Sequence, residues 1–203
     1  DSPRLLHETA RIMITKYILH GGFTRKDNDL NTSFFNELTR DIPEDAKILM
    51  VFFASGDEDK TSTYKEIVEK ISKSKYNSQF SFIFATKENF EVDCNNADAI
   101  YFHGGNTPTL LTALKDFGDI ERLFVGKTVA GSSAGAYMLS TYGTAHTSEH
   151  IRQGLGIINV RVICHFESTE LPPSQTSLVE INSSHLDLPL VTLRDCESKV
   201  FFK

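Results

Sequence analysis

Strand-like and helix-like patterns alternate along almost the whole chain. Ile14–His20 reads as a first strand, closed by Gly21-Gly22. Asn31–Arg40 follows as a helix, with Asn31 or Thr32 placed to cap it, since a short polar side chain can accept from the unpaired N–H groups of a first turn. Ala46–Ala54 is almost continuously apolar, the signature of a strand covered on both faces. Thr61–Ser74 spaces its apolar positions by threes and fours and so predicts an amphipathic helix. Phe80–Ala85 and Ala97–Phe102 predict strands, and Pro108–Phe117 a helix with proline in its first turn. An apolar run, Leu123–Val125 and then Val129-Ala130, leads into a glycine- and serine-rich turn with a helix opening at Ala134. Val160–Cys164 and Leu190–Leu193 read as strands with a helix between them near Gln175–Asn182, and Lys199–Phe202 as a last short strand.

This alternation, with unbroken apolar strands, predicts an α/β fold: a mainly parallel sheet flanked by helices in three layers, within a single domain spanning residues 1–203. The chain begins Asp-Ser-Pro, so residues 1–12 read as a remnant or a trimmed start and stay outside the fold argument. Clefts of such folds lie beyond the carboxyl ends of the strands. Gly21-Gly22, Gly104-Gly105 and Gly131-Ser132-Ser133 all fall at such ends, and that coincidence says more than any one turn.

Composition narrows the classes of function. A net charge of -6 supplies no basic stripe to displace counterions, which argues against a nucleic-acid or membrane-surface partner. No apolar run approaches the length of a membrane span. Cys94, Cys164 and Cys196 show no metal-type spacing, and their odd number fits a reducing, cytoplasmic setting rather than a disulfide framework. Oligomeric state, monomer or homodimer, is not written in the sequence.

The chemistry concentrates at Ser133, the centre of a Gly-x-Ser-x-Gly turn. A serine on a tight strand-to-helix turn needs small neighbours and presents its hydroxyl at a cleft beside the N–H groups of the helix start. A plain glycine-rich connection explains the same small residues, so the partners decide. A serine nucleophile needs a base, and the base needs an acid to orient it. His165 directly follows the strand Val160–Cys164, and Asp195 follows Leu190–Leu193, so both stand at strand ends; Glu149, in a polar loop 16 residues beyond Ser133, is the alternative acid. His103 could line the cleft, whereas His7, His20, His146, His150 and His185 rank lower. The run Gly104-Gly105-Asn106-Thr107 can bring a backbone donor close to a substrate oxygen, and its Asn106 or Thr107 can equally cap the next helix. The α/β-hydrolase order would have to be forced as Ser133, Glu170, His185, with no strand leading to His185.

The order Ser, His, acid, with Tyr101–Leu111 and the run Ala130–Ala136, resembles peptidase family S51, which includes aspartyl dipeptidase (peptidase E) and cyanophycinase. The resemblance runs from the first strand to Leu193-Arg194-Asp195 and implies a fold like that of the class I glutamine amidotransferases, a flavodoxin-like arrangement. It implies Ser133 as nucleophile, His165 as base, Asp195 or an acid near Glu149 as third member, and an oxyanion hole from Gly105 and the N–H of Ala134, with Gly104, Asn106 and Thr107 on the substrate side. The expected reaction is hydrolysis of a peptide or related amide bond through an acyl-enzyme, on a small peptide substrate and with no metal or organic cofactor. Two departures stand out. Serine replaces the amidotransferases' cysteine at the elbow. No Arg or Lys occurs between His165 and Arg194, where peptidase E carries the arginine that anchors an aspartyl side chain. A non-catalytic binding module on the same fold is the rival expectation.

Overall fold

The computed structural model describes residues 13–56, 60–75, 78–147 and 150–203. The first half is built of alternating units: β1 (Lys16–His20), α1 (Asp29–Thr39), β2 (Lys47–Val51), α2 (Lys60–Lys73), β3 (Ser81–Phe84), α3 (Phe90–Asn96), β4 (Ala99–Phe102), α4 (Thr107–Leu114) and, after two 3-10 turns, β5 (Thr128–Ser132) and α5 (Ala134–Leu139). The second half holds β6 (Ser140–Gly143), β7 (Arg152–Gln153), β8 (Ile158–Ile163), α6 (Gln175–Ser183), β9 (Leu190–Thr192) and β10 (Ser198–Phe202). Leu123–Val125 falls in a 3-10 turn and its exit, so the strand that leads to Ser133 starts only at Thr128.

The main sheet has six strands in the order β10-β1-β5-β4-β2-β3, all parallel except β10, which returns antiparallel on β1. Alternate residues of each strand divide between two cores, as the period of two requires. On one face Ile18, Ile48, Met50 and Tyr101 pack with Phe34, Phe35 and Leu38 of α1 and with Ile67 and Ile71 of α2. On the other face Leu19, Leu49, Ile100, Phe102 and Val129 pack with residues of α3, α4 and α5. These are the three layers the alternation predicts.

The single sheet of the sequence reading becomes two. β8 and β9, expected in the main sheet, instead join a separate four-stranded sheet in the order β7-β6-β8-β9. Its apolar residues Val160, Val162 and Val191 continue the core formed on the α4 and α5 side. β6 and β7 were not predicted. The first is the polar quartet Ser-Thr-Tyr-Gly and the second only two residues long, so neither carries a burial pattern of its own. α3 also escaped prediction, since its seven residues bury only Phe90 and Cys94.

A buried guanidinium ties this second sheet to α6. Arg161, in β8, is 6% exposed and donates to the carbonyls of Leu188, Ile181 and Ser184. The last turn of a helix leaves carbonyls unpaired, and a cation there satisfies them and complements the helix dipole. Arg161→Met is therefore expected to destabilise the fold by about 3 kcal/mol, because one buried and two part-buried acceptors lose a charged donor; urea unfolding of the variant against the parent measures it.

Candidate active site

Ser133 joins β5 to α5 with φ 48° and ψ -104°, a left-handed conformation that costs strain in a residue carrying a Cβ. Such a turn throws the hydroxyl clear of both elements. Its own N–H donates to the carbonyl of His20 at 2.9 Å. Ala134 is the first residue of α5, where N–H groups have no carbonyl within the helix to bond. The Gly104-Gly105 loop passes close by: a Cβ on Gly104 would lie 3.3 Å from that of Ser133. Gly105 has φ +140°, and a Cβ there would fall 2.3 Å from the carbonyl oxygen of Ala54, so only glycine turns the chain at this point.

The second sheet brings the partners. His165 follows β8, and its Nε2 lies 3.2 Å from Ser133 Oγ while its Nδ1 lies 2.7 Å from Asp195 Oδ1. The carboxylate can only accept, so Nδ1 carries the proton and Nε2 presents its lone pair to the serine. The Ser168 hydroxyl donates to the other oxygen, Oδ2, at 2.7 Å and itself accepts from the N–H groups of Glu170 and Leu171. His165 is 2% exposed and Asp195 24%. Burial lowers the His165 pKa from its ordinary 6.5, aided by His146 and Lys26 and opposed by the bond to Asp195. Phe23 and His146 meet the imidazole edge-on, at ring distances of 4.9 and 5.2 Å.

The turn at the end of β1 holds these pieces in register. The carbonyls of His20, Gly21 and Gly22 accept, in order, from the N–H groups of Ser133, His165 and Cys196, the last adjacent to Asp195. Gly22 also makes room for the ring: a Cβ there would sit 2.1 Å from His165 Cε1. His20, ranked low from sequence, is fully buried and acts as scaffold. Its Nδ1 accepts from Gly22 N–H and faces Ser132 Oγ, so the proton is on Nε2, which donates to Asn31 Oδ1. A histidine directly before Gly-Gly at a strand end was the sequence signal for this role. Burial pushes its pKa down to about 4. His103 is also down at about 4 through burial and the nearby Arg25 guanidinium, with Nδ1 2.9 Å from Tyr101 Oη.

The other expected residues fall as follows. Asn106 Oδ1 caps α4 by accepting from Thr109 N–H, and Thr107 is buried in the first turn of that helix. Glu149 lies outside the described residues. The α/β-hydrolase set does not assemble, since Glu170 pairs with Lys26 and His185 stacks on Tyr142. Cys94, Cys164 and Cys196 are buried and unpaired. Among the described residues no helix is long and apolar enough to cross a membrane, and no group of three or more His, Cys, Asp or Glu side chains could hold a metal ion.

Two predictions arise here. Gly22→Ala drives a methyl into the His165 ring, and is expected to lower kcat/KM by at least about tenfold while circular dichroism reports an intact fold, since small misplacements of a reacting group are costly. Stability should fall as pH drops from 6.5 towards 4. Over that window the unfolded chain protonates His20 and His103 while the folded protein does not, at about 3 kcal/mol for each. Urea unfolding across this pH range, repeated on His20→Gln, measures the His20 share, which the substitution should remove.

Comparison with known proteins supplies the family and the fold. The model of peptidase family S51 matches residues 17–199. A peptidase from an acI-B1 Actinobacterium shares 24% identity with a TM-score of 0.66, over 94% of this chain and 84% of its own. A peptidase E candidate from Listeria monocytogenes EGD-e shares 17% identity with a TM-score of 0.64, over 94% and 98% of the two chains. No curated protein sequence matches the chain. The likeness to both structures is one of fold, and the family match spans every element from β1 to the start of β10: the chain belongs to peptidase family S51 and is a serine-type peptidase.

Proposed function

We propose that this peptidase cleaves short peptides through Ser133, with His165 as base and Asp195 as the acid that orients it. The observation that carries the reading is the unbroken chain Ser133 Oγ–His165 Nε2 at 3.2 Å and His165 Nδ1–Asp195 Oδ1 at 2.7 Å. His165 takes the hydroxyl proton as Oγ attacks the peptide carbonyl. The developing oxyanion is received by the N–H groups of Ala134 and Gly105. The imidazolium then returns its proton to the leaving amine, and water repeats the sequence on the acyl-enzyme. Asp195 holds the tautomer and stabilises the imidazolium; Ser168 fixes the far carboxylate oxygen. Asp195 is preferred over Glu149 on its direct contact with His165.

Dipeptidase action belongs to this proposal, and its specificity differs from a strict demand for an N-terminal aspartate. No Arg or Lys stands between His165 and Arg194. Of the cations beside the proposed triad, Lys26 is paired with Glu170 and Arg194 with Glu167. A cytoplasmic, reducing location is proposed as well, supported by the three unpaired thiols.

A serine-reactive fluorophosphonate should label the parent protein and not Ser133→Ala; equal labelling of both contradicts the reading. Asp195→Asn is expected to lower kcat by about 10^3 to 10^4, since the amide favours the wrong imidazole tautomer, with Glu149→Gln causing little loss; the reverse ranking reassigns the acid. His165 works as a base only when neutral. Its lowered pKa therefore places the acid limb of the kcat/KM profile below pH 6.5, and activity falls as pH drops through that limb.

A further inference from the structure

His146 carries a hydrogen-bonding atom that no described residue uses. It lies three residues beyond Gly143 in β6, as His165 lies three beyond Val162 in β8, and Gly143 and Val162 are partners in the parallel ladder. The second sheet thus sets the two imidazoles side by side, with ring centroids 5.2 Å apart and planes at 69°. His146 Nδ1 lies 3.0 Å from the carbonyl oxygen of Pro172. A carbonyl can only accept, so the proton of the neutral ring is on Nδ1 and Nε2 is a bare lone pair. That Nε2 is buried and, among the described residues, has no hydrogen-bond partner. A buried acceptor left unpaired is costly, and native proteins rarely leave one without a use.

The group that should fill it follows from what happens beside His165. When the tetrahedral intermediate collapses, the C–N bond breaks, its electron pair stays on nitrogen, and that nitrogen takes the proton from His165 Nε2. The acyl carbon remains on Ser133 Oγ. The scissile nitrogen also carries its own N–H, and an acceptor for that N–H fixes which way the nitrogen's lone pair faces. We propose that His146 Nε2 is that acceptor: it binds the N–H of the leaving amine and turns the nitrogen's lone pair towards the His165 proton. This rests on the Ser133–His165 reading above and adds a preference to it. The site favours amide leaving groups that bear an N–H over esters, whose bridging oxygen has no hydrogen to give.

The substitutions that test this are His146→Phe, which keeps an aromatic edge against His165 but has no acceptor, and His146→Gln, which restores one. Each is assayed on a matched pair of substrates with the same acyl group, one an amide and one an ester. His146→Phe should lower the ratio of amide to ester kcat/KM by about tenfold, the worth of one buried hydrogen bond, and His146→Gln should recover most of that ratio. Amide and ester rates that fall together in His146→Phe, or a ratio that does not change, overturn the proposal. Ester hydrolysis that still depends on Ser133 separates that outcome from a failure of the triad, because only the latter removes both activities.

Discussion

The structure depends on three consecutive carbonyls at the end of β1. His20, Gly21 and Gly22 accept from Ser133, from His165 and from the residue next to Asp195. One of these partners, His165, comes from beyond the main sheet, at the end of β8, whereas Cys196 leads directly into β10, the antiparallel neighbour of β1. Gly21 also donates its N–H to the Glu197 carbonyl, so the turn grips the Asp195 segment from both sides. The geometry of the site is therefore set by backbone bonds of fixed length rather than by long flexible side chains. That is how a fold holds reacting groups to within fractions of an ångström.

This constraint explains the residues around it. Gly22 must lack a Cβ because the His165 ring occupies that space. His20 must be polar because its ring bonds the Gly22 N–H and the Asn31 amide, and it must be neutral because no water reaches it. Asn31 in turn donates to the carbonyls of Phe23 and Lys26, fixing the loop that sets Phe23 against His165. A buried polar network of this kind is rigid only when every member is satisfied. His146 Nε2 is the exception among the described residues, and its ring lies beside the His165 imidazole.

Much of the arrangement was legible in the sequence, for local reasons. The run around Ser133, the Gly-Gly turns and the unbroken apolar strands each reflect a constraint satisfied within a few residues, so each leaves a local pattern. The alternation gave the layers for the same reason. The second sheet was not legible because its existence turns on pairing between segments far apart. β6 looks like polar loop until β8 lies beside it. The choice between Asp195 and Glu149 stayed open in sequence, since either acid sits in a plausible turn, and only the third dimension brings Asp195 to 2.7 Å from His165. His20 was underrated because its role lies in partners, Asn31 and Ser132, that no spacing rule connects to it.

The most direct test of the account is a crystal structure of the protein bearing a covalent fluorophosphonate adduct. The adduct is expected on Ser133 Oγ, with its phosphoryl oxygen within hydrogen-bond reach of the N–H groups of Gly105 and Ala134, and with His165 still bonded through Nδ1 to Asp195. An adduct on another residue, or His165 turned from Ser133 with its Nδ1 on a different acid, would contradict it.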